Sequence, residues 1–193
     1  MKLTTKLSLW TMGAFALALI AVKPASAVTS QVLDIHVSIT ATKSLSAGTT
    51  FYNFGALAPD VSSNSASAIQ ITNDSGAYVE TYTLQGANAT SDTGGTNWTL
   101  AASTGTNQYS IGAQFSTAQP ANTQPAWDST DYLTTSAQAC SATQFGNGTL
   151  AEAGTSVSPV VANRDRYLWF KIHTPDISTG TEGRTAQITI AVQ

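Results

Sequence analysis

Apolar and polar residues alternate along two segments near the end of the chain, residues 167–173 and residues 186–192. A period of two places every second side chain on the same face of a β-strand. The apolar faces are formed by Leu168, Phe170 and Ile172 in the first segment and by Ala186, Ile188, Ile190 and Val192 in the second. The pattern therefore predicts two core strands of an antiparallel sandwich.

A third alternating segment, residues 33–41, lies near the start of the chain. Its apolar positions are Leu33, Ile35, Val37, Ile39 and Ala41. One hypothesis is that this segment pairs within its own sheet as an ordinary first strand. The other is that it acts as a donor strand, which leaves its own body and completes the sheet of a neighbouring subunit. Both hypotheses stay open at the level of the sequence.

Weaker strand patterns fill the middle of the chain, at residues 49–57, 65–72, 98–102, 109–115 and 156–162. The Asn-Asp-Ser-Gly turn signal at residues 73–76 predicts a hairpin over residues 68–84. Residues 98–102 and 109–115 are predicted to pair as a second hairpin. Many short strands without an amphipathic helix indicate an all-β fold, an antiparallel β-sandwich of immunoglobulin-like or jelly-roll type.

The alternation fades in one long irregular excursion, residues 116–147. Such a long loop is uncommon in a compact domain, so it indicates either a functional segment or a short element, such as a helical turn within residues 129–142. Trp127 and Tyr132 lie beside Asp128 and Asp131, and aromatic rings near carboxylates suit stacking on a sugar. The other interpretation is that these rings cover one end of the sandwich. The acidic residues lack the spacing of an EF-hand calcium loop.

The first 27 residues have the features of a secretory signal peptide. Lys2 and Lys6 precede an apolar stretch over residues 7–22, and Ala-Ser-Ala at residues 25–27 is a small-residue cleavage site. We expect cleavage after Ala27, which leaves residues 28–193 as a single sandwich domain. No second long apolar run follows in the sequence. The chain is therefore predicted to be secreted and to act outside the cell or at its surface.

Charge and cysteine content exclude several classes of partner. Removal of Lys2, Lys6 and Lys23 leaves five basic residues against eleven acidic ones, a net charge of −6. Nucleic acids and anionic membrane surfaces are therefore poor partners. Cys140 is the only cysteine, so no intramolecular disulfide can form. A buried, inert thiol is the favoured interpretation, and a bridge to another molecule is the alternative.

The sequence lacks the residue patterns of the common catalytic sites. Its two histidines, His36 and His173, fall on the polar faces of their predicted strands. They do not have a zinc-binding spacing, and the chain contains no Gly-x-Ser-x-Gly elbow, phosphate loop or dinucleotide fingerprint. We therefore expect no enzymatic activity and no cofactor or metal.

The signal peptide, the alternating strand at residues 33–41, the Asn-Asp-Ser-Gly turn and the terminal Gln-Ile-Thr-Ile-Ala-Val-Gln together resemble secreted bacterial sandwich subunits of surface fibres. These subunits include the TasA and camelysin group of biofilm-matrix proteins and the donor-strand pilins. The cysteine pair found in many chaperone-assembled pilins is missing here. What the resemblance implies is self-assembly outside the cell by strand exchange.

Two functions follow as expectations. The first is a non-enzymatic structural subunit of an extracellular filament, biofilm matrix or cell-surface assembly. It would form a homopolymer through the donor strand whose apolar residues are Leu33, Ile35, Val37, Ile39 and Ala41. The alternative is a secreted module that binds carbohydrate or another surface, such as a matrix polysaccharide, with Trp127 and Tyr132 as stacking platforms.

Overall fold

The computed structural model of the chain describes residues 43–75, 79–123, 126–146 and 164–193. All of them belong to one compact unit, Thr40–Gln193. Within the described ranges the regular structure is entirely β, which confirms the predicted all-β class. The same residues contain no helix long and apolar enough to cross a membrane. The predicted signal peptide and the predicted strands at residues 33–41 and 156–162 lie outside the described residues.

The described residues form eleven strands. In chain order they are β1 (Leu45–Ala47), β2 (Ser62–Asn64), β3 (Ile69–Asn73), β4 (Tyr82–Gly86), β5 (Thr90–Ser91), β6 (Thr99–Leu100), β7 (Gln108–Phe115), β8 (Gln138–Ala139), β9 (Asp165–His173), β10 (Arg184–Thr185) and β11 (Ile188–Val192).

The larger sheet has the order β1-β3-β9-β7-β6, and β2 also pairs with β9. Its two longest strands, β7 and β9, are antiparallel neighbours from Ser110 opposite His173 to Phe115 opposite Leu168. A second sheet has the order β11-β4-β8, and β5 and β10 form a two-stranded sheet. The predicted terminal strands β9 and β11 therefore exist, and they belong to different sheets.

Side chains from the two larger sheets meet in one hydrophobic core. Its fully buried members include Tyr82 and Leu84 of β4, Tyr109 and Phe115 of β7, and Leu168 of β9. Leu168 and Phe170 occupy apolar positions that the alternation predicts for β9, so the predicted inward face of that strand is confirmed. The finer assignment to an immunoglobulin-like or jelly-roll sandwich stays a prediction.

The predicted hairpins are both wrong. β3 and β4 do not pair, because β3 lies between β1 and β9 whereas β4 lies between β11 and β8. The turn signal is real, since the Asn73 side-chain oxygen accepts hydrogen bonds from the Ser75 N–H and hydroxyl at 3.0 and 2.6 Å. It carries the chain from one sheet to the other. β6 and β7 pair in parallel, not as an antiparallel hairpin.

Two local predictions also fail. Residues 49–57 contain no strand. The strand nearest to the predicted one is β1, which ends at Ala47. Phe54 nevertheless packs against the core from this irregular segment. The described part of residues 129–142 has no helical turn, and contributes the short strand β8 instead.

Candidate functional site

One edge of β11 is free of any partner strand among the described residues. Among the described residues its partner is β4 alone, over five consecutive pairs from Ile188 opposite Gly86 to Val192 opposite Tyr82. No other strand of this length in the described part of the chain has one side wholly unpaired. A free strand edge presents unpaired N–H and C=O groups and is a template for pairing with another chain.

The hydrogen-bond pattern identifies the groups on that edge. The Gln193 N–H donates to the Thr81 carbonyl at 2.9 Å, so the alternation of an antiparallel ladder directs the backbone groups of Ala191 and Thr189 toward β4 as well. On the other side of β4, the Gly86 N–H donates to the Thr134 carbonyl at 2.9 Å, as this alternation requires. The backbone groups that point away from β4 therefore belong to Ile188, Ile190 and Val192.

The same three residues carry the apolar side chains of β11. Ile188, Ile190 and Val192 are half-buried and pack against the core, whereas Thr189 and Ala191 are exposed. We call the backbone groups and side chains of Ile188, Ile190 and Val192 the β11 edge. It combines backbone groups that pair with no described strand and an incompletely covered apolar row. The sequence pattern identified these side chains as apolar and inward, but did not identify the strand as an edge.

β1 is the corresponding edge of the larger sheet, and it is shorter. The Asp74 N–H donates to the Ser44 carbonyl at 3.2 Å and the Gly48 N–H to the Gln70 carbonyl at 2.8 Å. By the same alternation, the backbone groups of Leu45 and Ala47 point away from β3. Both side chains are half-buried against the core. β1 thus repeats the arrangement of the β11 edge over three residues instead of five.

Polar contacts join the start of β1 to the end of β11. The Lys43 ammonium donates to the Gln193 carbonyl. The Ser44 N–H donates to the buried Glu80 carboxylate at 3.0 Å, and the Ser44 hydroxyl to the Asp74 carboxylate at 2.6 Å. The described chain therefore begins at the C-terminal end of β11.

The excursion, residues 116–147, joins the two larger sheets on the side of the core away from β1 and β11. The Ala113 N–H donates to the Asp131 carbonyl and the Leu133 N–H to the Ile111 carbonyl, both at 2.9 Å. Residues 131–133 thereby run beside β7, and the next residue, Thr134, accepts from Gly86 of β4. The excursion thus connects the two sheets on the side away from β1 and β11.

The excursion also covers the outer face of the larger sheet. Trp127 is 0 % exposed, and a side chain at Gly112 of β7 would place its Cβ 3.0 Å from the Trp127 ring. The Gln114 side-chain amide, also on this face, donates to the Ala126 carbonyl at 2.9 Å. In this position Trp127 offers no ring face to a sugar, and Tyr132 is half-buried. This placement agrees with a covering role for the excursion.

Side chains of β9 fasten the excursion to the sheet. The Trp169 indole N–H donates to the Ser116 carbonyl at 2.9 Å, and the Lys171 ammonium to the Asn122 carbonyl at 3.2 Å. Lys171 is buried despite its position on the polar face of the strand, and burial lowers the pKa of its ammonium. Trp169 and Lys171 therefore anchor the excursion, whereas Tyr167 on the same face is exposed.

Asp131 is the most perturbed carboxylate of the excursion. It is 2 % exposed, and burial raises its pKa from 3.8 to about 6. Its Oδ2 accepts the Asp128 N–H at 3.0 Å and the Gln114 amide at 3.4 Å. These contacts hold the turn over β7, so they give Asp131 a structural task. The described residues contain no group of three or more His, Cys, Asp or Glu side chains able to hold a metal.

The remaining candidate residues have ordinary surroundings. His173 Nε2 lies 3.1 Å from the Asp60 carboxylate at the surface, while His36 is outside the described residues. Cys140 is buried, and burial raises its thiol pKa from 9.0 to about 12, so the nucleophilic thiolate is scarce at neutral pH. These placements agree with the predicted surface position of His173 and the predicted inert thiol.

No protein-family model and no curated protein matches the chain. The candidate donor residues Leu33, Ile35, Val37, Ile39 and Ala41 lie outside the described residues. The β11 edge is accordingly the feature of the described unit that best suits a functional contact.

Proposed function

We propose that this protein is a non-enzymatic structural subunit of an extracellular filament, biofilm matrix or cell-surface assembly, and that its subunits associate by β-strand addition. The observation that carries the proposal is the β11 edge. Three residues there offer one N–H and one C=O each, and their apolar side chains are only half-buried. A strand laid along this edge would satisfy the backbone groups and cover the apolar row together.

Residues 33–41 are the proposed donor. Their apolar positions alternate with polar ones, so a strand made by them has one face able to cover the β11 edge. The compact unit begins at Thr40, so most of this segment precedes the body that carries the acceptor edge. A segment that precedes its own body in the sequence can serve as the added strand of a neighbouring subunit.

The hydrogen bonds alone give strand addition a useful strength. Three acceptor residues permit up to six backbone hydrogen bonds, each worth about 0.5 to 1.5 kcal/mol net. The sum, about 3 to 9 kcal/mol, is comparable with the cost of bringing two molecules together. Burial of the donor's apolar side chains then supplies the surplus that drives assembly.

Electron microscopy of the purified protein without residues 1–27 tests the proposal. We expect filaments from residues 28–193 and monomers from a variant that also lacks residues 28–42. Val37→Asp places a charge on the apolar face of the donor and should abolish filaments. Ser38→Asp, on the polar face of the same segment, is the matched control and should retain them. Monodisperse particles from residues 28–193, or filaments of undiminished amount from Val37→Asp, would overturn the proposal.

A further inference from the structure

We propose that the acceptor is the β11 edge and that residues 33–41 of a second copy pair with it in the antiparallel direction. This inference rests on the proposed function and specifies its contact. Its starting observation is the difference in length between two edge strands of the described residues, five residues in β11 against three in β1. Because each additional pair contributes hydrogen bonds and side-chain contacts, the longer edge forms the stronger ladder.

The start of the described chain decides which direction a pairing within one molecule would take. Lys43 contacts Gln193, at the C-terminal end of β11. Only Thr42 separates Lys43 from Ala41, whereas the nine residues 33–41 extend about 30 Å as a strand. If a chain laid this segment on its own β11, Ala41 would have to lie near Val192, and the two strands would run parallel. An antiparallel strand on this edge must therefore come from another copy.

Apolar alternation and charge together select a register. Directly opposite residues share a face, so apolar donor positions must oppose the apolar residues of the β11 edge. With Val37 opposite Ile190, the remaining pairs are Ile35 opposite Val192 and Ile39 opposite Ile188. Continued by one residue, this register places Asp34 opposite Gln193, whose carbonyl already contacts Lys43. The donor carboxylate thus arrives beside the acceptor's ammonium group, which favours this register.

Disulfide cross-linking tests the direction directly. In the proposed register His36 lies opposite Ala191, on the outward face and at a pair without mutual hydrogen bonds. Such pairs have Cα atoms about 4.5 Å apart, within the range that a disulfide bridges. A His36→Cys, Ala191→Cys variant, oxidised during assembly, should give a ladder of covalent oligomers on a non-reducing gel. Thr40→Cys with Ala191→Cys is the matched pair for parallel pairing and should give no such ladder.

The outcomes separate this inference from the proposed function. Cys140 is buried and common to all variants, and Ala191→Cys alone sets the background. Filaments that form without a ladder from the His36 and Ala191 pair would overturn the proposed antiparallel register and leave the proposed function standing. A monomer cross-linked internally through the Thr40 and Ala191 pair, with no filaments, would overturn both, because the chain then fills its own edge.

Discussion

A proline at the centre of the β11 edge tests whether that edge is used in assembly. The Ile190 N–H points away from β4, so Ile190→Pro removes a donor that the ladder with β4 does not need. Edge strands tolerate proline in this position. Ile190→Ala also truncates the side chain but keeps the N–H. The comparison between the two variants therefore isolates the hydrogen bond made to the incoming strand.

The size of the effect follows from one broken bond. Assembly of Ile190→Pro leaves a carbonyl of the incoming strand without its donor, which costs about 1 to 3 kcal/mol. At 1.4 kcal/mol for each factor of ten, the critical concentration for assembly should be about 5- to 140-fold higher than that of Ile190→Ala. Sedimentation of filaments over a series of total protein concentrations measures this quantity.

A proline one residue further along is the control for the fold. The Ala191 backbone groups point toward Thr83 of β4, so Ala191→Pro breaks the ladder inside the subunit and should lower the urea midpoint of unfolding. Ile190→Pro should keep the midpoint of Ile190→Ala. Equal critical concentrations for Ile190→Pro and Ile190→Ala would refute the use of this edge.

Three further predictions concern the excursion and the core. Because the pKa of Asp131 is raised from 3.8 to about 6, folding favours its protonated form. The stabilisation contributed by this group should be fully present below pH 4 and be lost, by about 3 kcal/mol, as the pH rises through 6. Urea titrations at a series of pH values should show this decline in the natural protein and lose it in Asp131→Asn, and an unchanged slope would contradict the assignment. Trp127→Ala should lower the free energy of unfolding by about 3 to 5 kcal/mol, as for other fully buried aromatic residues, and a wild-type urea midpoint would show that the ring is not buried. Cys140 should react with a thiol reagent only after unfolding, so rapid labelling of the native protein at pH 8 would be inconsistent with its burial.

Local pattern predicted which side chains face the core. The alternation around Phe115 in β7 and around Leu168 in β9 is correct because side chains on a strand point to opposite faces with a fixed period of two. Each buried row could therefore be identified without knowledge of the partner strand. The same information predicted Ile188, Ile190 and Val192 as an inward row.

Pairing between strands could not be predicted in the same way. The turn signal at Asn73 specifies a local reversal, but it leaves open whether the next strand returns to the same sheet or joins the facing one. For β6 and β7, Asn107 has a positive φ of 53° and its carbonyl accepts the Thr99 N–H at 2.8 Å. This arrangement aligns β6 in parallel with the start of β7. A single sequence contains no direct signal for such tertiary choices.

The position of the excursion on the sheet could not be predicted from the alternation either. It is held by enclosed rings, those of Trp127 and Phe145, and by side chains that donate to backbone carbonyls, such as Lys171 to Asn122. Neither kind of contact has a period, so neither can be detected as alternation. The edge position of β11 could not be predicted for a related reason. Central and edge strands with one buried face have the same alternation of apolar and polar residues.

The bridge that residues 131–134 make between β7 and β4 limits the shape of any assembly built by strand addition. With that side of the core joined, each subunit has one long acceptor edge in its described part and supplies one donor segment. A monomer with one outgoing and one incoming connection has a functionality of two, and bifunctional monomers polymerise into unbranched lines. The contact joins unlike surfaces, so it can propagate without closing and every subunit points the same way. The resulting fibre would be one subunit wide, with two chemically different ends.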